Sequence, residues 1–225
     1  MLKKLLTGAL IAGVASGVIA AALQFAFVIP YILEGELYET GARVHFGAGS
    51  PQSPSGTPGL GTDWSRHLMT VTFDVVSYTA YALILSGFMA LALRQGHKVD
   101  ARRGIVWGVA GFVAVQLAPA IGLPPELPGT IAAEVLPRQI WWSGTIVVTA
   151  LALWLIAFVP QVWAIGAAIV LLLLPHVIGA PHLDTYYGVA APELAAHFAT
   201  RSLGFAAVGW VVLGTIAGYF VGQDD

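Results

Sequence analysis

The chain has 225 residues, of which 57% are apolar and 10% are charged, and its formal net charge is −2. Soluble domains contain about 25% charged residues, so this composition indicates a membrane protein and argues against a nucleic-acid partner. The chain has no cysteine, which excludes disulfides, thiolate metal sites and cysteine nucleophiles. Any metal ligand must therefore be a histidine, carboxylate, hydroxyl or carbonyl group.

Long apolar runs cover most of the chain, and each is about long enough to cross a hydrocarbon core of ~30 Å as a helix. In lipid, backbone N–H and C=O groups must form hydrogen bonds within the protein, as they do in helices and closed β-barrels. The runs are continuously apolar and show no alternation of apolar and polar residues, so helices are predicted. The runs cover residues 5–33, 67–93, 104–123, 139–159, 161–178 and 202–221. The sequence therefore predicts an all-α, polytopic integral membrane bundle of about six transmembrane helices, forming a single domain over residues 1–225.

The basic residues predict the orientation of this bundle. Lys3 and Lys4 precede the first run, and four Lys/Arg lie within residues 94–103, between the second and third runs. If both segments are cytoplasmic, six spans also bring the C-terminus to the cytoplasmic side, in agreement with the positive-inside rule. We expect a multi-pass protein of the cytoplasmic membrane. A cleaved signal peptide is disfavoured because the apolar stretch continues to Leu33, beyond the usual h-region of about 7–15 residues.

Three segments are predicted to lie on the outer side. The first opens with Glu34, Glu36 and Glu39 and continues as a Gly/Pro/Ser-rich loop over residues 40–64, which we expect to be flexible. The second, residues 124–138, contains Pro-Pro-Glu-Leu-Pro-Gly and is predicted to be a stiff turn. The third, residues 179–201, is an interfacial loop in which a short helix could begin at Pro192.

Glycines recur at a spacing that lets helix backbones approach closely. They form Gly13-x3-Gly17, Gly104-x3-Gly108 and Gly214-x3-Gly218-x3-Gly222. Packing within the bundle and a seam between two copies of the chain are both compatible with this spacing.

Asp74 is the only acidic residue inside a predicted span. A carboxylate inside a transmembrane span has an unfavourable free energy unless it faces the bundle interior, water or a cation. His67, Asp74 and Tyr81 are seven residues apart and share one helix face, which predicts a polar stripe that leads inward. A structural Asp hydrogen-bonded to Tyr or Ser is the alternative.

Most histidines and acids are predicted to be outer, and Glu126, His176 and His182 are the notable ones among them. His176 lies at the end of the fifth run, where Pro175, Gly179 and Pro181 predict a helix terminus. Imidazole and carboxylate without thiolate suit borderline or harder divalent cations. The alternative is a solvated polar rim with no ligand.

No P-loop, His-Glu-x-x-His or Gly-x-Ser-x-Gly motif is present in the chain. We therefore predict that the protein is not an enzyme. A membrane enzyme that uses Glu126 and His176 as acid and base is the weakest of the hypotheses.

Several strings together resemble the CbtA family of proposed cobalt transporter membrane subunits, over about residues 1–222. They are Leu5-Leu-x-Gly-Ala-Leu-Ile-Ala-Gly13, Pro30-Tyr-Ile-Leu-Glu-Gly-Glu-x-Tyr38, Gly122-Leu-Pro-Pro-Glu-Leu-Pro-Gly129, Arg138-Gln-x-Trp-Trp142 and Leu174-Pro-His-x-Ile-Gly-Ala-Pro-His182. The resemblance implies cobalt uptake linked to cobalamin synthesis, with a small single-span His-bearing partner, CbtB. Relatives often have a His-rich first outer loop, whereas here only His45 and His67 stand at its edges, which shifts metal capture towards the partner.

The leading hypothesis is a subunit for uptake of a divalent metal, with Co²⁺, or another such as Ni²⁺, as substrate and no permanently bound cofactor. The predicted metal residues are His176, His182, Glu126, Asp74 and His67, and the first three are expected at one membrane face. The alternative is a non-transporting assembly or metal-sensing subunit that acts with the small partner. Homo-oligomerisation is left open.

Overall fold

The computed structural model describes residues 2–45, 51–185 and 187–223, and every regular element in these ranges is helical. The helices are α1 (Leu2–Phe27), α2 (Ile29–Glu39), α3 (Trp64–Arg94), α4 (Ala101–Phe112), α5 (Ala118–Gly122), α6 (Val135–Phe158), α7 (Val162–Ile178) and α8 (Pro192–Gly222). Among the described residues, α1, α3, α4 to α5, α6 and α8 give five helical stretches long and apolar enough to cross a membrane, and α7 is an apolar helix of 17 residues. The predicted all-α polytopic membrane bundle is confirmed, and its orientation stays a prediction.

The first predicted run is divided into two helices at Val28. This residue has φ −120° and ψ −51°, and Pro30 follows in the first turn of α2. Proline has no backbone N–H, and its ring clashes with the carbonyl group four residues earlier in a continuous helix. The chain therefore starts a new helix, which continues to Glu39 and includes residues that the sequence assigned to the outer loop.

The third predicted run is also irregular. A π-helical turn over Val113–Leu117 separates α4 from α5, and Pro119 follows in the first turn of α5. A π turn shifts the hydrogen-bond pattern by one residue, so the missing N–H and the ring of Pro119 are accommodated without ending the helix. The last helix is longer than predicted, because the segment that begins at Pro192 is continuous with α8.

The chain divides into two compact units. Unit 1 consists of Met1–Ala26, Gly61–Phe112 and Gly204–Asp225, and unit 2 consists of Phe27–Leu60 and Val113–Leu203. Of the predicted metal residues, His67 and Asp74 belong to unit 1, whereas Glu126, His176 and His182 belong to unit 2. Each unit is described separately below.

The predicted glycine motifs pack helices against each other inside unit 1. A Cβ atom on Gly17 would lie 2.5 Å from the Cα atom of Val75, and one on Gly13 would meet the backbone of Thr79. In the same way, Gly104 of α4 lies directly against the backbone of Gly214 in α8. The glycine motifs are therefore used for contacts within the bundle.

Two elements shape unit 2. Helices α6 and α7 form a hairpin whose tightest contacts are made by small side chains, with Ala152, Ala164 and Ala168 fully buried. On α2, Glu34 is buried, and its Oε1 atom accepts hydrogen bonds from Arg43 Nη1 at 2.6 Å and from the backbone N–H of Gly56 at 2.9 Å. Part of the segment predicted to be flexible is therefore tied to α2, while residues 46–50 of that segment lie outside the described residues.

Replacing Glu34 with Gln should release this segment. The variant loses the ion pair with the largely buried Arg43 guanidinium, and hydrogen bonds to charged groups contribute about 1.5–3 kcal/mol. We expect the amide of Gly56 to exchange its hydrogen at least tenfold faster than in the wild-type protein, measured by hydrogen–deuterium exchange in detergent. The same substitution at the exposed Glu39 is the control, and equal exchange at Gly56 in wild type and Glu34→Gln would contradict the prediction.

Candidate functional site

In unit 2, the Pro-rich loop between α5 and α6 is held against α2. Leu127 is buried, and a Cβ atom on Gly35 would lie 3.1 Å from its Cδ2 atom. Gly129 adopts φ +79°, a left-handed conformation that favours glycine, and it lies close to Glu39 and Val189. The loop is therefore docked at both ends, and Glu126 projects from a fixed piece of backbone.

Glu126 is paired with an arginine that the sequence analysis did not connect to it. Arg138 Nη2 donates a hydrogen bond to Glu126 Oε2 at 2.8 Å, and both side chains are partly exposed. Arg138 lies in the first turn of α6, so the pair joins the loop to that helix. A metal ion at Glu126 would have to use its other carboxylate oxygen or displace the guanidinium group.

His176 lies at the end of α7 against Trp141 of α6. The two rings are 6.1 Å apart, edge to face, and Trp141 Nε1 donates a hydrogen bond to the carbonyl oxygen of Pro175 at 3.0 Å. Trp141 is buried, so its hydrogen bond fixes the end of α7 against α6.

His182 follows α7 in an exposed loop. Its Nδ1 atom is 3.2 Å from the carbonyl oxygen of Leu183. Two residues earlier, Ala180 packs close to Gly122 and Trp141. Since Glu126 pairs with the first turn of α6 and His176 packs against its second, all three predicted residues flank the same end of α6. That the three residues share one membrane face stays a prediction.

In unit 1, His67 is enclosed by aromatic rings near the start of α3. Its ring centroid is 5.4 Å from that of Phe25 and 5.8 Å from that of Trp64, both edge to face. Its Nε2 atom is 3.4 Å from the carbonyl oxygen of Gly61, which is a long contact for a hydrogen bond. A ring nitrogen that faces a carbonyl oxygen carries the proton, so the lone pair of a neutral His67 ring would lie on Nδ1.

Asp74 lies deep in α3. Since the helix begins at Trp64, three residues before the predicted span over 67–93, ten residues at about 1.5 Å each place Asp74 about 15 Å along it. The side chain is 7% exposed, and Oδ2 has no hydrogen-bond partner among the described residues. The hydroxyl group of Tyr78, one turn further, is also buried and lacks a partner within the described ranges.

The polar stripe predicted on α3 is bordered by aromatic side chains and by a helix with small residues. Tyr81 stacks on Trp210 of α8 with ring centroids 4.8 Å apart, and it contacts Tyr78 edge to face at 5.9 Å. Ser16 of α1, which the sequence analysis overlooked, is fully buried, and its hydroxyl lacks a partner in the described parts of the chain. Ser16 lies next to Gly17 within the motif Gly13-x3-Gly17, and this position is the sequence feature that could have predicted its burial.

Within residues 2–45, 51–185 and 187–223, no cluster of three or more His, Asp or Glu side chains is arranged to hold a metal ion. Each unit instead presents separate groups: a carboxylate and two imidazoles at one end of α6 in unit 2, and an imidazole and a buried carboxylate along α3 in unit 1. The five predicted ligands stay a prediction.

The model of one protein family, described as "probable cobalt transporter subunit (CbtA)", matches residues 2–222. The chain belongs to the CbtA family. This membership confirms the resemblance that the sequence motifs indicated, and it makes the protein a membrane subunit associated with cobalt transport. The description of the CbtA family points to a transporter subunit rather than an enzyme. No curated protein and no solved structure matches this chain.

Proposed function

We propose that this CbtA family member is the multi-pass subunit of a Co²⁺ uptake system in the cytoplasmic membrane, and that the cobalt supplies cobalamin synthesis. The observation that carries the proposal is the family match over residues 2–222 of an apolar helical chain. A small single-span subunit that bears histidines is the partner we expect. Other divalent ions such as Ni²⁺ are competing substrates for the same imidazole and carboxylate groups.

The residues at the end of α6 would receive the ion. His176 and His182 offer nitrogen ligands, and Glu126 offers an oxygen ligand once Arg138 moves aside. A transport site must also release its ion, so a few mixed ligands are more suitable than a closed cage. In this proposal the guanidinium group returns to the carboxylate after the ion has left.

In unit 1, the residues along α3 are proposed separately as cation ligands. His67 presents one ring nitrogen, and Asp74 holds a buried carboxylate oxygen that has no partner in the described structure. A cation offsets the cost of a carboxylate at this depth. An inside-negative membrane potential favours inward movement, since two positive charges crossing 100 mV gain about 4.6 kcal/mol.

A second function is an assembly or metal-sensing subunit that does not itself transport. The observation that favours it is the 2.8 Å ion pair between Arg138 and Glu126, which occupies the only carboxylate of the loop string that resembles the family. In that case Glu126 and Arg138 would contact the partner subunit, and Co²⁺ flux would depend on that subunit.

The paired substitution His176→Ala plus His182→Ala should abolish most Co²⁺ uptake. We expect uptake of radioactive Co²⁺ to fall by at least about tenfold in cells that express the variant together with the small His-bearing partner, at membrane levels equal to the wild type. The physical reason is the loss of both nitrogen ligands at the proposed mouth.

The control for this experiment is His97→Ala, which removes a histidine from the loop between α3 and α4. Wild-type uptake in the double variant would exclude a path through these histidines. Cells that express the partner subunit alone are also measured. If their Co²⁺ uptake equals that of cells that express both subunits, the result favours the assembly function.

A further inference from the structure

The basic end of unit 1 contains a cavity that neither the glycine contacts nor the polar stripe uses. The start of α1, the end of α3, the start of α4 and the end of α8 meet there, since Gly8 packs against Phe220 and Gly222 against Val99. Six of the ten Lys and Arg residues of the chain lie in these segments, namely Lys3, Lys4, Arg94, Lys98, Arg102 and Arg103. The same segments contain three acids, Asp100, Asp224 and Asp225, so this end has a net positive formal charge.

The cavity has a volume of about 320 Å³ and is lined mainly by apolar side chains, with one arginine. Its walls include Leu2, Leu5, Gly87, Leu91, Val221 and Arg94. Gly87 widens it, because a Cβ atom there would meet no heavy atom within 4 Å in the described structure. The guanidinium group of Arg94 makes no hydrogen bond or ion pair with a residue of the described ranges.

We propose that this cavity binds one anionic phospholipid, with an acyl chain along Gly87 and Leu91 and the phosphate group at Arg94. The charge at this end is complementary to an anionic headgroup, and basic pockets between membrane helices on the cytoplasmic side bind such lipids. The apolar walls match a hydrocarbon chain and provide no hydrogen bonds for a polar ligand.

The cavity is partly open at the surface of unit 1, and its lining combines apolar side chains with one cationic side chain, that of Arg94. This combination favours a lipid, which has a hydrocarbon chain and an anionic headgroup, over an apolar helix of a partner or of a second copy. A flexible acyl chain is much narrower and can follow the groove between α1 and α3. The site is independent of the cobalt path, since none of its lining residues is a predicted metal residue.

Two variants test the site by different means. Arg94→Gln removes the phosphate contact, and its control Arg102→Gln removes the same charge at the same end but outside the cavity. Gly87→Leu fills the cavity without adding charge, and its control Gly144→Leu changes another open helical glycine, on α6 in unit 2. Leucine is a better helix former than glycine, so both leucine variants should fold.

The measurement is retention of lipid by the detergent-purified chain in native mass spectrometry, after incubation with phosphatidylglycerol or phosphatidylcholine. We expect the wild type to retain one phosphatidylglycerol in preference to phosphatidylcholine, Arg94→Gln to weaken its binding about fivefold, and Gly87→Leu to abolish it. Both controls should retain it. Equal retention of the two lipids by the wild type, or unchanged retention in Gly87→Leu, overturns the proposal. Loss of a bound second copy in Gly87→Leu, with lipid retained, would assign the groove to a protein contact instead.

Discussion

The Asp74→Asn variant should accumulate in the membrane like the wild type and lose at least about tenfold in Co²⁺ uptake. Asparagine has nearly the same shape as aspartate, so the packing of α3 against α1 is preserved. It removes the negative charge of a residue that is 7% exposed and whose Oδ2 atom has no partner among the described residues. That oxygen therefore contributes no hydrogen bond to the described structure, whereas a buried negative charge attracts a divalent cation into the helix bundle.

The measurement is radioactive Co²⁺ uptake with the partner subunit present, normalised to membrane-inserted protein. The matched control is Asp63→Asn, the same substitution on the same helix. Asp63 caps α3 by accepting a hydrogen bond from the backbone N–H of Arg66 at 3.1 Å, and asparagine is an equally good capping residue. Uptake in the control should equal that of the wild type.

The experiment also distinguishes the two candidate functions. A transporting subunit loses flux when Asp74 is neutralised, although its assembly with the partner is unchanged. If the chain is an assembly subunit, neutralising Asp74 leaves both the Co²⁺ flux and the assembly with the partner unchanged. Full uptake by Asp74→Asn would therefore remove α3 from the metal path and leave the assembly function as the better explanation of this chain.

The Gly214→Ala variant should be strongly destabilised. A single Cβ atom at this position would overlap the carbonyl oxygen of Gly104 and lie 2.7 Å from the Cα atom of Gly108. Both contacts are with backbone, so no side-chain rotation relieves them and α4 must move away from α8. We expect a cost of about 3 kcal/mol or more, at or above the upper end of ordinary overpacking.

Fluorescence-detected size-exclusion chromatography and thermal unfolding in detergent measure this effect. Gly144→Ala in α6 is the control, because a Cβ atom there meets no heavy atom within 4 Å in the described structure. Alanine is the better helix former by about 1 kcal/mol, so the control should be as stable as the wild type or more stable. A wild-type unfolding temperature for Gly214→Ala would show that the two helices are not in backbone contact.

The positions of helix irregularities illustrate how far local sequence rules reach. Pro30 and Pro119 are visible in the sequence, yet the predicted runs over residues 5–33 and 104–123 continued through both, although proline disturbs a helix interior. Nothing local indicated that the first would start a new helix at Ile29 while the second would be absorbed by a π turn over Val113–Leu117. The difference depends on which neighbouring segments can pack against the altered backbone.

The candidate site shows the same limit. The sequence proposed Glu126, His176 and His182 as candidate ligands and predicted a common face for them from loop position and the order of the spans, and both stay predictions. It did not identify Arg138 as the partner of Glu126, or the bond from Trp141 to the Pro175 carbonyl. These contacts join residues 12 and 34 positions apart, and no periodicity or spacing rule encodes such pairs.

The sequence by itself determined that this is a helical membrane protein of the CbtA type with an acid in its second span, because the bilayer restricts the length, the polarity and the hydrogen bonding of every segment that crosses it. The tertiary structure alone decided that Glu34 is buried with Arg43, that the Asp74 Oδ2 atom is left without a partner in the described structure, and that a cavity opens at Gly87. Those properties depend on which helix faces meet, and side chains from distant parts of the chain settle that by close packing.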